Sequence, residues 1–200
     1  MANRVIFLDF DGPMFPDRTV QFDVRNRYKH RASVWAGGGD DIVCNKEVKD
    51  FFEACESEVG RRWGTYCFMC PSAVGMINHL GFNYDARIVV SSSWGNIFTK
   101  NDIEALFELN GIVVPFHENW NIWTDPMQRG RQRANLIAQW MKENKYMDYV
   151  IIDDPQSGAC LCDQYEMTKL GFDLDRIIIV DPEVGLTMGD INQIKNQWET

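Results

Sequence analysis

The sequence predicts an α/β protein, a three-layer sandwich around a mainly parallel sheet, built as a single domain over residues 1–200 with an insertion after the first strand. Three observations carry the prediction. Short apolar runs alternate along the chain with segments of helical period, the pattern that pairs strands in parallel through right-handed helical crossovers. The runs around Val5, Val89 and Val150 are continuously apolar, as strands covered on both faces are. Hydrophobic residues make up 45% and charged residues 24% of the chain, which supplies a core and excludes disorder and fibrous folds.

Taken in order, the first strand is 5–8, ending in Asp9-Phe-Asp11-Gly12. Residues 13–44 read as irregular, with Pro13, Pro16, a basic cluster and Gly37-Gly-Gly39. Asn45 is an N-cap for a helix to about 63 that carries Val48, Phe51, Phe52, Cys55 and Val59 on one face. Pro71 starts a second helix with Val74, Ile77 and Leu80 aligned, and Gly81 is its expected stop. A strand at 88–90 ends in Ser91-Ser-Ser93. The next helix, 101–110, has Ile103, Leu106 and Phe107 inward and is stopped by Gly111. Then come a strand at 112–116, a helix at 131–144 with Leu136, Ile137, Trp140 and Met141, and a strand at 149–152 running into Asp153-Asp154. A strand at 177–180 and a helix at 190–198 close the chain.

The function classes narrow quickly. No apolar run approaches the roughly 18 residues that a membrane helix needs. The apolar stretch near the N-terminus is short and ends in acid, unlike a secretory signal, so a soluble, cytoplasmic protein is expected. The formal net charge of -9 repels nucleic-acid phosphates at long range and argues against a general DNA or RNA coat protein. The positive charge is nevertheless bunched, in Arg25-Asn-Arg27-Tyr-Lys29-His30-Arg31 and in Arg129, Arg131 and Arg133.

In parallel sheets ligands bind outside the carboxyl ends of the strands, so the strand-end residues draw the chemistry. Asp9 and Asp11, Ser91 to Ser93, and Asp153 and Asp154 would share one edge. Carboxylates this close need a cation or a proton among them, and a hard, all-oxygen cluster suits Mg2+. Such a metal attracts phosphate. Ser91 can donate to a phosphoryl oxygen, an arginine can supply further positive charge, and one carboxylate can attack phosphorus while its neighbour handles the proton. A lone Asp-Pro such as Asp181-Pro182 reads instead as a turn former.

These residues resemble a known family. Phe7-Leu-Asp9-Phe-Asp11-Gly12 is similar to the first motif of the haloacid dehalogenase (HAD) superfamily of aspartate-nucleophile phosphatases, Val89-Val-Ser91 to its second, and Val150-Ile-Ile-Asp153-Asp154 to its fourth. Ile88-Val-Val-Ser-Ser-Ser-Trp94, Ile137-Ala-Gln-Trp140 and Asp181-Pro-Glu-Val-Gly-Leu-Thr187 resemble the small-phosphatase branch that includes the HAD domains of Swiss-army-knife RNA repair proteins. The resemblance implies a Rossmann-like HAD sheet and a phosphomonoesterase with an aspartyl-phosphate intermediate. By it, Asp9 is the nucleophile and Asp11 the acid that protonates the leaving oxygen and then activates water. Mg2+ would sit between the Asp9 carboxylate, the Asp11 main-chain carbonyl and Asp153, with Asp154 close by. Ser91, with Ser92 as the second choice, would hold the phosphoryl group, helped by the amides of Asp11 and Gly12.

Two departures from the family pattern stand out. Pro13 replaces the Thr or Val common after the glycine. The usual lysine of the third motif is missing; Arg133 fits its place best, with Arg129, Arg131 and Lys100 as alternatives. Arginine can hold phosphate bidentately, so such a replacement is compatible with activity.

The stretch at about 14–66 exceeds what one crossover requires, and HAD phosphatases carry a substrate-choosing cap there. Its basic run, Arg27 included, followed by Trp35, pairs cations with an aromatic ring, which suits a nucleotide or a polynucleotide end. The expected partner is a small phosphorylated substrate, a nucleotide first and a nucleic-acid end second, with no membrane. The competing non-enzymatic reading is a HAD-shaped phosphate-binding module that has lost activity with its lysine. Cys67, Cys70, Cys160 and Cys162 are weighed as a zinc site against free core thiols. His30, His79 and His117 lack ligand-like spacing.

Overall fold

The computed structural model describes residues 4–16, 69–96, 98–123, 133–145, 148–155 and 159–199. The predicted helix at 45–63, nearly all of the predicted cap at 14–66, and Arg27, Cys67, Arg129 and Arg131 lie outside the described residues, as does the side chain of Cys160.

Five strands form one sheet: β1 (Arg4–Leu8), β2 (Ala86–Val90), β3 (Phe116–Asn121), β4 (Asp148–Asp153) and β5 (Ile177–Ile179). Their order is β3-β2-β1-β4-β5, and every pairing is parallel. The chain winds outward from β1 to β3, then returns to the far side of β1 for β4 and β5. The reversal of winding between β1 and β4 is the place where such sheets open a ligand crevice.

The helices α1 (Pro71–Tyr84), α2 (Lys100–Asn110), α3 (Arg133–Asn144), α4 (Gln164–Lys169) and α5 (Met188–Trp198) divide between the two faces. Because strand side chains alternate, β1 sends Ile6 and Leu8 one way and Val5 and Phe7 the other. Ile6 and Leu8 join Ile77 and Leu80 of α1, Leu106 of α2 and Ile191 of α5 in one core; Val5 and Phe7 join Ile137 and Trp140 of α3 and Met167 of α4 in the other. The result is the predicted three-layer sandwich. Among the described residues no helix is long and apolar enough to cross a membrane.

Two sequence expectations need correction. The strand placed at 112–116 begins only at Phe116 and runs to Asn121. Ile112 and Val114 are buried, but as an extended approach; the ladder starts where the Ile88 amide meets the carbonyl of Pro115, a residue with no amide of its own to give. The helix expected to stop at Gly81 continues to Tyr84 and ends at Asp85 in the left-handed conformation. Gly81 serves packing instead: a Cβ there would lie 2.3 Å from Cγ2 of Val114. Gly111 does close α2, at φ 74°.

Candidate active site

Register assembles the site. Leu8 pairs with Val90 on one side and Ile152 on the other, so the residues that follow emerge side by side at the carboxyl edge. The Asp9 amide donates to the Ile152 carbonyl at 3.0 Å and the Ser91 amide to the Leu8 carbonyl at 3.1 Å, extending the ladder past the formal strand ends. Asp9, Ser91, Ser92, Asp153 and Asp154 are all buried there.

Arg133 opens α3 and turns inward, only 6% exposed. Its Nη1 lies 3.1 Å from Asp9 Oδ2 and also donates to Asp153 Oδ2. A cation in the first turn of a helix opposes the macrodipole, worth up to about 1 kcal/mol, but two buried carboxylates outweigh that. Burial alone would lower the guanidinium's pKa; Asp9 and Asp153 reverse the effect and raise it. Lys100, by contrast, is paired with Glu104 on the exposed side of α2, at 3.2 Å, which leaves Arg133 as the cation at the carboxylates among the described residues.

Asp9, Asp153 and Asp154 each offer a carboxylate oxygen, all within 4.8 Å of one another. Asp153 Oδ1 accepts from the Asp154 amide at 2.9 Å, which fixes its plane. Burial first, and the Asp9 charge second, push the Asp153 carboxyl upward against the pull of Arg133. Asp11, half-buried, is pushed up to about 6 by burial and by Asp9, with Asp154 adding to it. The Trp94 hydrogen bond and Arg133 act the other way. Asp9, Asp153 and Asp154 carry more negative charge than the one guanidinium offsets, and the Asp9 charge adds to burial in raising both Asp153 and Asp11. A divalent cation removes that excess without protons, and the donor set, hard and all-oxygen, fits Mg2+.

Gly12 takes φ +83°, and an added Cβ would sit 2.7 Å from the Asp154 carboxylate. The turn after β1 thus presses its backbone against the fourth-motif acid, which a larger residue would displace. The Gly12 amide, expected to face phosphate, donates in this structure to the Phe15 carbonyl at 3.3 Å, closing the turn. Pro13 fits because its carbonyl is what the fold uses, accepting from the Leu186 amide at 3.3 Å. Ser91 Oγ is buried with no hydrogen-bond partner among the described residues, as a hydroxyl awaiting a phosphoryl oxygen would be. Ser92 Oγ instead accepts from the Trp94 amide at 3.3 Å. Cys70 lies beside Ser72 Oγ at 3.0 Å, and Cys162 is exposed.

Sequence reasoning missed the second layer. Trp94 Nε1 donates to Asp11 Oδ2 at 3.0 Å, and Trp123 Nε1 to the Ser91 carbonyl at 3.2 Å. Trp94 was visible as part of the Ser-Ser-Ser-Trp string, but nothing in that string pointed to Asp11.

Over residues 5–191 the chain matches the family model described as the HAD domain in Swiss Army Knife RNA repair proteins. The chain belongs to that family. No curated protein and no solved structure matches it. Membership accounts for the parallel sheet and supports a HAD-type hydrolase or phosphatase in general. HAD domains generally use Mg2+, and in this HAD domain the buried acids Asp9, Asp153 and Asp154 are the residues that could hold it.

Proposed function

We propose that this HAD domain is a Mg2+-dependent phosphomonoesterase that works through an aspartyl-phosphate on Asp9, with a nucleotide as substrate. The observation that carries the reading is the junction of Asp9, Arg133 and Asp153 beside the buried Ser91 hydroxyl, at the point where the sheet reverses its winding. Arg133 holds the Asp9 carboxylate in place, at 3.1 Å, for the attack. Ser91 donates to a phosphoryl oxygen. Asp9 attacks phosphorus, the bond from phosphorus to the ester oxygen breaks, and Asp11 gives its proton to that departing oxygen. Asp11, now a carboxylate, takes a proton from water as the water oxygen attacks phosphorus; Asp9 is released and inorganic phosphate forms. A divalent ion held by Asp9, Asp153, Asp154 and the Asp11 carbonyl would neutralise charge as the phosphoryl group transfers.

The net charge of -9 favours a small phosphate ester over a long polyanion. The family's description as a domain of RNA repair proteins favours a second reading, a phosphatase of polynucleotide ends. Wild type is expected to hydrolyse p-nitrophenyl phosphate with Mg2+, and Asp9→Asn to lose at least about a hundredfold in kcat/KM. Equal rates would remove Asp9 as nucleophile, and an inert wild type that still binds phosphate would make the domain a binding module. Nucleoside monophosphates compared with 3′- and 5′-phosphorylated oligonucleotides separate the two substrates; a preference for the oligonucleotides would replace the first reading with the second.

A further inference from the structure

Trp94 lies in the short turn Ser93–Asn96 that follows β2, and it is 3% exposed. Its indole is clamped by aromatic rings. It stacks on Phe15 with centroids 5.3 Å apart and planes at 16°, and on Phe98 at 5.1 Å and 28°. Phe10 meets it edge-on at 5.6 Å. Phe10 and Phe15 flank the turn that carries Asp11, so the indole and the carboxylate are set by one packed unit. The Phe98 amide donates to the Trp94 carbonyl at 2.9 Å and further fixes the turn.

From this rigid mount Nε1 donates to Asp11 Oδ2 at 3.0 Å. Among the described residues it is the hydrogen bond the Asp11 carboxylate makes. An indole N–H can only donate. The oxygen facing it therefore serves as acceptor whether or not the carboxyl group bears a proton, and the exchangeable proton belongs on Oδ1. An apolar ring in the same place would remove the hydrogen bond that sets Oδ2 apart from Oδ1.

We propose that Trp94 is a positioning residue: by occupying Oδ2 it reserves Oδ1 of Asp11 for proton exchange with the departing oxygen and then with water. The inference rests on the reading of Asp11 as the acid and base of a phosphomonoesterase. Trp94 touches no reacting atom, and its effect passes entirely through Asp11.

The test separates esters by how much they need the proton. p-Nitrophenyl phosphate and phenyl phosphate have nearly the same shape, but the nitrophenolate departs readily as an anion while the phenolate needs protonation. Trp94→Phe keeps an aromatic ring in the stack and removes the N–H. Replacement of Trp94 by 3-benzothienylalanine keeps the bicyclic ring, puts sulfur where the N–H was, and covers a Phe variant that fails to fold. In either variant kcat/KM for phenyl phosphate is expected to fall roughly tenfold or more, part of the hundredfold or greater range of general acid catalysis, with at most about a threefold fall for p-nitrophenyl phosphate. The control Phe98→Leu loosens the stack but keeps the N–H, and should lower both esters together. Equal losses on both esters in the sulfur analogue, or no loss on either, would overturn the role of the N–H. A wild type inert towards both esters would instead remove the phosphatase reading, and this inference with it.

Discussion

Arg133 shows how a single side chain can stabilise this site while standing in an unfavourable local position. Its Nη1 reaches both Asp9 and Asp153, so a single cationic nitrogen bridges the two carboxylates. One cationic nitrogen between two carboxylates is something a lysine also offers. Removing one partner of a buried ion pair typically costs about 3–5 kcal/mol, because the remaining charges stay buried. Arg133→Met is therefore expected to destabilise the protein by about 3 kcal/mol near neutral pH and to abolish p-nitrophenyl phosphate turnover. Arg133→Lys, which preserves the charge, should lose no more than about 1–2 kcal/mol and keep measurable turnover. Denaturant unfolding beside kcat/KM checks both. A Met variant as active as wild type would show that Arg133 does not hold the nucleophile, and a Lys variant as damaged as Met would show that the guanidinium shape matters after all.

At the level of elements, Gly81 sets α1 against the approach to β3. Alanine in a helix interior is ordinarily favoured over glycine by about 1 kcal/mol. Here the added Cβ would meet both methyls and the Cβ of Val114, at 2.3 to 3.0 Å, and overpacking of this kind costs about 1–3 kcal/mol. The steric effect wins, so Gly81→Ala is expected to lower stability by about 1 kcal/mol, and Val114→Ala in the same chain should recover the loss in a double-mutant cycle. Additive effects would mean that helix and approach do not press on one another. The same pair explains what could be read from sequence and what could not. Gly81 has the look of a helix stop, and only the neighbour across the fold reveals that it is a spacer. β1, β2 and β4 were legible because both faces are covered and the runs are unbroken. β3 was not, since its Phe-His-Glu-Asn-Trp-Asn lies at the sheet edge and has no apolar run, while the apolar run just before it is core without being strand. In the site, Asp9, Asp153 and Ser91 were legible as strand-end residues, and Arg133 by its place just ahead of the Ile137 segment. The Trp94–Asp11 bond was not: it joins distant segments and follows from packing, not spacing.

For the molecule as a whole, the raised carboxyls tie stability to pH, and a cation bound by the acidic cluster would tie it to metal as well. The folded-state pKa of Asp11 is raised from 3.8 to about 6, and that of Asp153 is raised as well, chiefly by burial. Raised carboxyls bind protons in the folded chain that the unfolded chain has already released. Their contribution is thus full below about pH 4 and is lost as pH rises, through about 6 for Asp11. Arg133 shifts the other way from burial's pull and stays charged throughout, so it adds no window of its own. A divalent cation would compete with the Asp153 proton for the same oxygens and would repel the proton on nearby Asp11, so its binding is expected to strengthen over the range in which the protons leave. Saturating the site at about a hundred times its Kd would contribute about 2.7 kcal/mol, and less where protons must first be displaced. Thermal unfolding in Mg2+ against EDTA should therefore show a rise in Tm that is clearly larger at pH 7.5 than at pH 5, and Asp153→Asn should diminish it at both. A metal-induced rise equal at the two values, or larger at the acid one, would mean that the ion binds away from the acidic cluster. Because the comparison is made at each pH with and without metal, the general self-repulsion of a chain of charge -9 enters both sides and cancels to first order, leaving the linkage between proton and cation as the quantity measured.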